Sequence, residues 1–192
     1  MTFPGVHPIL TTERLVLRAH DAGDADALFA LFTDPATMRY WGAPPWIERA
    51  QAEAMIERAA AAFTAREAIR FALVPREGGP MIGTCTLFAV DAQNRRAEMG
   101  YILAHAAWGR GLMHEALTAL LDWGFGPLGL HRVEADVDPR NLPSVKTLER
   151  LGFVREGFLR QRWQVAGEVS DSLFYGLLAP EWAARRASGT AS

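Results

Sequence analysis

A glycine-flanked arginine, Gly109-Arg110-Gly111, stands just before a stretch of helical periodicity in AEMGYIL–AHAAWGRG–LMHEALTALLDW. Glycine admits the positive φ that turns successive backbone N–H groups toward one point. The first turn of a helix adds unpaired N–H groups and the positive end of its dipole. Together they make a site for a phosphate or pyrophosphate, to which Arg110 can add a charge. The same glycines also suffice for a plain strand-to-helix turn, and spacing alone leaves both uses open. Two other phosphate loops are excluded. No G-x-x-x-x-G-K-[ST] string occurs, and the third glycine of a G-x-G-x-x-G dinucleotide loop is missing.

A second unit, EADVDPRNLPSVKTLERLGFVREG, takes a strand to Pro139 and then into a helix. Asn141 is placed to cap that helix and Ser144 lies in its first turn. Amide and hydroxyl groups there can hold a ligand carbonyl or donate a proton. Satisfying orphan helix N–H groups is their other use.

The elements around these units follow from hydrophobic period and punctuation. Arg14–Ala19 alternates as a strand. Asp21 or Asp24 caps a helix presenting Leu28, Leu31 and Phe32, which Pro35 ends. Tyr40–Trp46, rich in proline and aromatics, is a loop or flap. Glu48 to about Arg66 is helical. Ile69–Pro75 and Met81–Val90 are strands joined by the glycines of REGGP, and Ala97–Leu103 is a third. The loop then leads into a helix over Leu112–Phe125. His131–Asp138 is a strand, the second-unit helix runs to Leu151, and Gly152 stops it. Phe153–Trp163 and Val169–Leu178 form a closing antiparallel pair. Interleaved helices and hairpins predict an α+β fold, a mixed sheet flanked by helices. Residues 1–9 form a lead, 10–182 one domain, and 183–192 a small, polar, frayed tail.

Composition bounds the class. The 192 residues carry a net charge of −2, with 22% charged and 49% hydrophobic side chains, so one soluble domain is expected. Without a basic stripe, nucleic acid is not an expected partner. No apolar run approaches the roughly 20 residues that cross a bilayer, and no signal peptide is evident, so a cytoplasmic protein is expected. The single cysteine, Cys85, rules out an internal disulfide framework. It lies mid-strand without a histidine nearby in sequence, which suits a buried, inert thiol better than an acyl-carrying nucleophile. The five histidines lack metal-ligand spacing, and no metal is expected.

At this point the sequence resembles the GNAT superfamily of N-acetyltransferases, and within it the RimJ/RimL-like branch, named for enzymes that acetylate ribosomal-protein N-termini. The resemblance rests on TERLVLR (Thr12–Arg18), IGTCTLF (Ile82–Phe88), AEMGYIL (Ala97–Leu103) and WGRGLMHEAL (Trp108–Leu117). It continues through HRVEADVDPRNLPSVKTLERLGFVREG (His131–Gly157) and GEVSDSLFYGLL (Gly167–Leu178), all in order. It implies that Trp108, Gly109, Arg110, Gly111, Leu112 and Met113 wrap the pyrophosphate of acetyl-CoA with backbone amides. Against the superfamily pattern Q/R-x-x-G-x-G/A, Trp108 stands at the first position and Met113 at the last. It further implies a mostly antiparallel sheet whose central strands, Glu98–Leu103 and Arg132–Asp138, splay to admit the pantetheine arm. A backbone N–H near Ile102 or Leu103 would face the thioester carbonyl.

For the chemistry, an amine must lose a proton before attacking a thioester, and CoA leaves as a thiolate. The resemblance implies Glu98 as the base, with Asp136 second, against a plain Glu98 pair with Arg95 or Arg96. Glu115, in a helical first turn, is structural. Many relatives use a tyrosine acid where this chain has Leu148. Ser144 then takes that role, or water protonates the thiolate, with Asn141 holding the pantetheine and Tyr175 an outside candidate. Trp41, Trp46 and Trp163 either line an acceptor pocket or cover the core. The acceptor implied is an amine, foremost a protein N-terminus. The alternatives are a small amine such as a polyamine, amino acid or aminoglycoside, or a non-catalytic acyl-CoA sensor. If the Phe153–Leu178 hairpin has a free edge, a homodimer can form across it.

Overall fold

Short polar side chains set the boundaries of the first helices. In the structure, a computed structural model that describes residues 1–189, the Asp21 carboxylate accepts from Gly23 N and the Asp24 carboxylate from Asp21 N. This capping box opens a single 3-10 turn that runs into α1 (Ala25–Thr33). Pro35 does end α1, as expected. It also occupies the first turn of a short α2 (Pro35–Met38), where its missing N–H costs nothing, and Asp34 caps Ala36 N at 3.1 Å. Helix α3 (Ala50–Thr64) follows the 40–46 loop.

The strands are β1 (Leu10–Thr11), β2 (Leu15–Arg18), β3 (Ile69–Pro75), β4 (Gly83–Asp91), β5 (Arg96–Leu103), β6 (Arg132–Val137), β7 (Val154–Val165) and β8 (Glu168–Leu178). They form one sheet in the order β1-β2-β3-β4-β5-β6-β8-β7. Every neighbouring pair is antiparallel except β5 and β6, which are parallel and joined through α4 (Leu112–Phe125). That parallel pairing covers only Arg96–Glu98 against Arg132–Glu134. Past Glu98 and Glu134 the two strands have no mutual register, so the sheet opens at its centre.

Alternation along the strands divides the core between two faces. Ala97, Met99 and Leu103 of β5 pack with Leu117, Leu120 and Leu121 of α4, while Ile102 packs with Leu28, Phe32 and Met55 of α1 and α3. Burying one such leucine stabilises the fold by roughly 1.5–3 kcal/mol. Helix α5 (Leu142–Leu151) closes on Gly152, whose φ of 93° favours glycine. Residues 183–189, where the composition predicts a frayed tail, instead continue α6 (Ala179–Gly189). Their alanines and arginines are good helix formers. The helix is anchored by buried Trp182, whose indole donates to Asp122 Oδ1 at 2.9 Å. Residues 190–192 lie outside the described residues.

Candidate active site

The glycine loop is held open from both sides. Gly109 and Gly111 have φ of 71° and 75°, and Gly111 sits at the N-cap of α4 without any capping side chain. The first α4 amide with an intrahelical acceptor is Glu115 N, which donates to Gly111 O at 3.1 Å. The earlier amides of the turn are thus left to a ligand. Trp108 anchors the incoming end, its indole donating to Leu103 O at 2.7 Å. Arg14 anchors the other end, donating through Nη1 to Arg110 O at 2.9 Å. Glu115 in turn holds Arg14 Nε at 2.6 Å, Arg14 N at 2.8 Å and Thr12 Oγ1 at 2.5 Å. Burial pushes the Glu115 carboxyl up, but these donors outweigh it and hold it below its ordinary value. The structural role expected for Glu115 is the one observed. Met113 packs partly buried against the core beneath the loop.

The ladder between β4 and β5 decides which backbone groups face the opening. Ala104 N donates to Ile82 O at 2.8 Å and Gly83 is registered with Leu103. In an antiparallel pair this phase turns the Ile102 N–H toward β4 and the Leu103 N–H away from it. Of the two amides expected from sequence, that of Leu103 therefore faces the opening. Across the gap, Asn141 Oδ1 accepts from Ser144 N at 3.3 Å, and Ser144 Oγ lies 2.7 Å from the Tyr101 hydroxyl. Burial keeps the Tyr101 phenol well above its ordinary pKa, so it remains protonated. Sequence reasoning missed Tyr101, which has no motif signal beyond its place in AEMGYIL.

The opening continues into a cavity of about 640 Å³ on the α1–α3 side of the sheet. Its walls include Tyr40 and Trp41 of the flap, Glu98, Ser144, Leu148 and Trp163. Trp163 lines it, as does Trp41, while Trp46 stacks on Phe32 with centroids 4.3 Å apart and serves as cover. Leu148 presents an apolar surface where a tyrosine acid would stand. Tyr175 lies outside the cavity and donates to Glu149 Oε1 at 3.3 Å.

The carboxylates sort by their partners. Arg96 pairs with Glu134 and Asp91 rather than Glu98, and among the described residues no hydrogen bond or ion pair reaches the Glu98 carboxylate. Asp136 is fully engaged. It accepts from Arg162 Nε at 2.6 Å, Trp163 Nε1 at 3.1 Å and the Ser172 hydroxyl, which leaves little lone-pair capacity for a substrate proton. Cys85 is fully buried, and burial drives its thiol far up, so it stays an inert thiol. Among the described residues no cluster of His, Cys, Asp and Glu is arranged to hold a metal, and no helix is long and apolar enough to cross a membrane.

The chain matches the family described as "Acetyltransferase (GNAT) domain" over residues 14–154. It is 39% identical to an uncharacterized N-acetyltransferase, p20, of Bacillus licheniformis, over 91% of this chain and 98% of that one. A shorter match, 34% over 84 residues, covers 44% of this chain and 43% of the Escherichia coli [ribosomal protein uS5]-alanine N-acetyltransferase. The crystal structure of spermidine N-acetyltransferase from Vibrio cholerae, in complex with CoA and spermine, superposes with a TM-score of 0.79 at 26% identity, covering 88% of this chain and 98% of that one. An anion-ready loop, a sheet split at one parallel pair and a family match spanning both lead to one conclusion: the chain belongs to the GNAT family and is an acetyl-CoA-dependent N-acetyltransferase.

Proposed function

We propose that the protein is a RimJ/RimL-like enzyme of the cytoplasm that acetylates an α-amine, foremost the N-terminus of a protein, by direct attack on the thioester. The free Glu98 carboxylate, at the last residue pair before β5 and β6 separate, carries this reading. Glu98 takes the proton from the incoming ammonium, directly or through one water. The Leu103 amide faces the thioester oxygen. The loop from Trp108 to Met113 holds the pyrophosphate through its amides, with Asn141 against the pantetheine arm. With the Tyr101 phenol as donor to Ser144 Oγ, the Ser144 hydroxyl is free to donate a hydrogen bond to the departing thiolate, which takes its proton from the attacking amine as the tetrahedral intermediate collapses.

A polyamine acceptor fits the cavity less well. Asp136 is neutralised by Arg162, Asp138 by Arg140, and Glu168 by both Arg39 and Arg140. A polycation would meet these arginines and, among the described residues that line the cavity, find Glu98 as the one unpaired carboxylate. The binding-only alternative draws on Leu148 at the tyrosine position, but it leaves the unpaired carboxylate without a use.

The test is Glu98→Gln. Turnover is expected to fall by about a hundredfold, the low end of what a positioned base supplies, while acetyl-CoA affinity is retained. Unchanged turnover across the pH range would remove Glu98 as the base.

A further inference from the structure

The cavity wall contains a second unpaired charge, and its sign is opposite to that of Glu98. Arg70, on β3, lines the same cavity. Among the described residues no hydrogen bond or ion pair reaches its guanidinium, whereas Arg39, Arg140 and Arg162 are each paired with a carboxylate. Its side chain is half-buried. Burial first, and Arg58 on α3 second, pull its pKa down against a smaller opposing effect of Cys85. An uncompensated charge in such a place is costly, and an anion brought by a ligand removes the cost.

Register places the two free charges on one surface. Arg70 is paired with Thr86, and Thr86 with Gly100, while Glu98 is two residues along β5 from Gly100. Strand alternation puts all of them on the same face. Strand spacing and rise set the Arg70 and Glu98 Cα atoms about 12 Å apart, a gap shortened by two side chains that both border the cavity. Thr86 and Phe88 of β4 lie between them, and Gly100, lacking a Cβ, gives the Phe88 ring its place on this floor.

Resting on the reading of this cavity as the acceptor site, we propose that Arg70 binds an anionic group of the acceptor, so that the substrate class is an amine carrying a carboxylate a few bonds away. That carboxylate is either the α-carboxylate of a free amino acid or an acidic side chain at the start of a peptide.

The experiment uses matched probes with the full chain. Alanine is compared with alaninamide, and amidated tripeptides beginning with Asp or Glu with those beginning with Asn or Gln. Thiol release from acetyl-CoA gives kcat and KM, and calorimetry on the CoA-bound protein gives affinity without turnover. The wild type is expected to favour the anionic member of one pair by about tenfold or more through KM, as a charge-assisted hydrogen bond supplies. Preference in the first pair identifies an amino acid, and in the second an acidic peptide. Arg70→Gln should bring the anionic member down to the level of its neutral partner, and Arg70→Lys should keep part of the preference. Acetyl-CoA affinity on the same variants reports an intact fold. Equal use and equal binding of both members by the wild type, or a preference that survives Arg70→Gln, overturns the proposal. Anion-selective binding without thiol release from any probe supports the Arg70 site and defeats the transferase reading of the acceptor.

Discussion

The Tyr101 hydroxyl and Ser144 Oγ lie 2.7 Å apart, joining β5 to the first turn of α5 across the opening in the sheet. The contact brings a protonated phenol to the hydroxyl assigned to the leaving thiolate. Ser144→Ala should lower kcat by about tenfold, less than a base contributes because a thiolate is already a fair leaving group. Tyr101→Phe should cost about three- to tenfold, the range of one hydrogen bond. The double variant should be no slower than Ser144→Ala, since the two side chains act as one unit. Additive losses in steady-state kinetics would separate them.

Gly111→Ala should weaken acetyl-CoA binding. At a φ of 75°, a Cβ costs roughly 1–2 kcal/mol, and the loop escapes that strain by moving out of the geometry that converges its amides. The expected rise in Kd is about tenfold by calorimetry. Gly78→Ala, at a φ of 100° in the β3–β4 turn, carries similar strain far from the loop. It should lower stability and leave Kd unchanged. Equal Kd values for the two variants would contradict the loop's role.

Much of this site is legible in the sequence because its signals are local. Helix α4 occupies Leu112–Phe125, as its period and the preceding glycines require. Asn141 caps α5 and Gly152 ends it, because cap chemistry is decided within three residues. What the sequence hides depends on register. Tyr101 and Ser144 are 43 residues apart, and nothing near either one marks the other. In IRFALVP, Arg70 alternates with apolar neighbours and has the pattern of a solvent-facing arginine. Only the α1–α3 layer, packed over that face, turns its surroundings into a cavity. The helical state of 183–189 is hidden for a similar reason, since the Trp182–Asp122 contact that docks it spans 60 residues.

Stability should fall on mild acidification through His20. Its side chain is buried, Nε2 lies 3.2 Å from Thr84 Oγ1, and Nδ1 has no hydrogen-bond partner, at 3.6 Å from Asp24 Oδ2. Burial lowers its pKa despite the attraction of Asp24. The unfolded chain therefore takes up a proton before the folded one does. This contribution is fully present above about pH 6.5 and is lost as pH falls from there through the folded value. Its slope is at most ~1.4 kcal/mol per pH unit. Urea unfolding between pH 7.5 and 5.5 should show a shallower loss for His20→Gln than for wild type. Part of the slope should remain, because burial also lowers His114. Identical slopes would exclude His20 as a contributor.

The central claim, transfer of acetyl to an α-amine, is tested most directly by thiol release from acetyl-CoA with a short lysine-free peptide, beside the same peptide with its α-amine blocked. The peptide carries an acidic first residue, and acetyl-CoA binding is confirmed in parallel. Release with the free peptide alone is predicted. Equal release with both, or release with neither while acetyl-CoA binds, would contradict it.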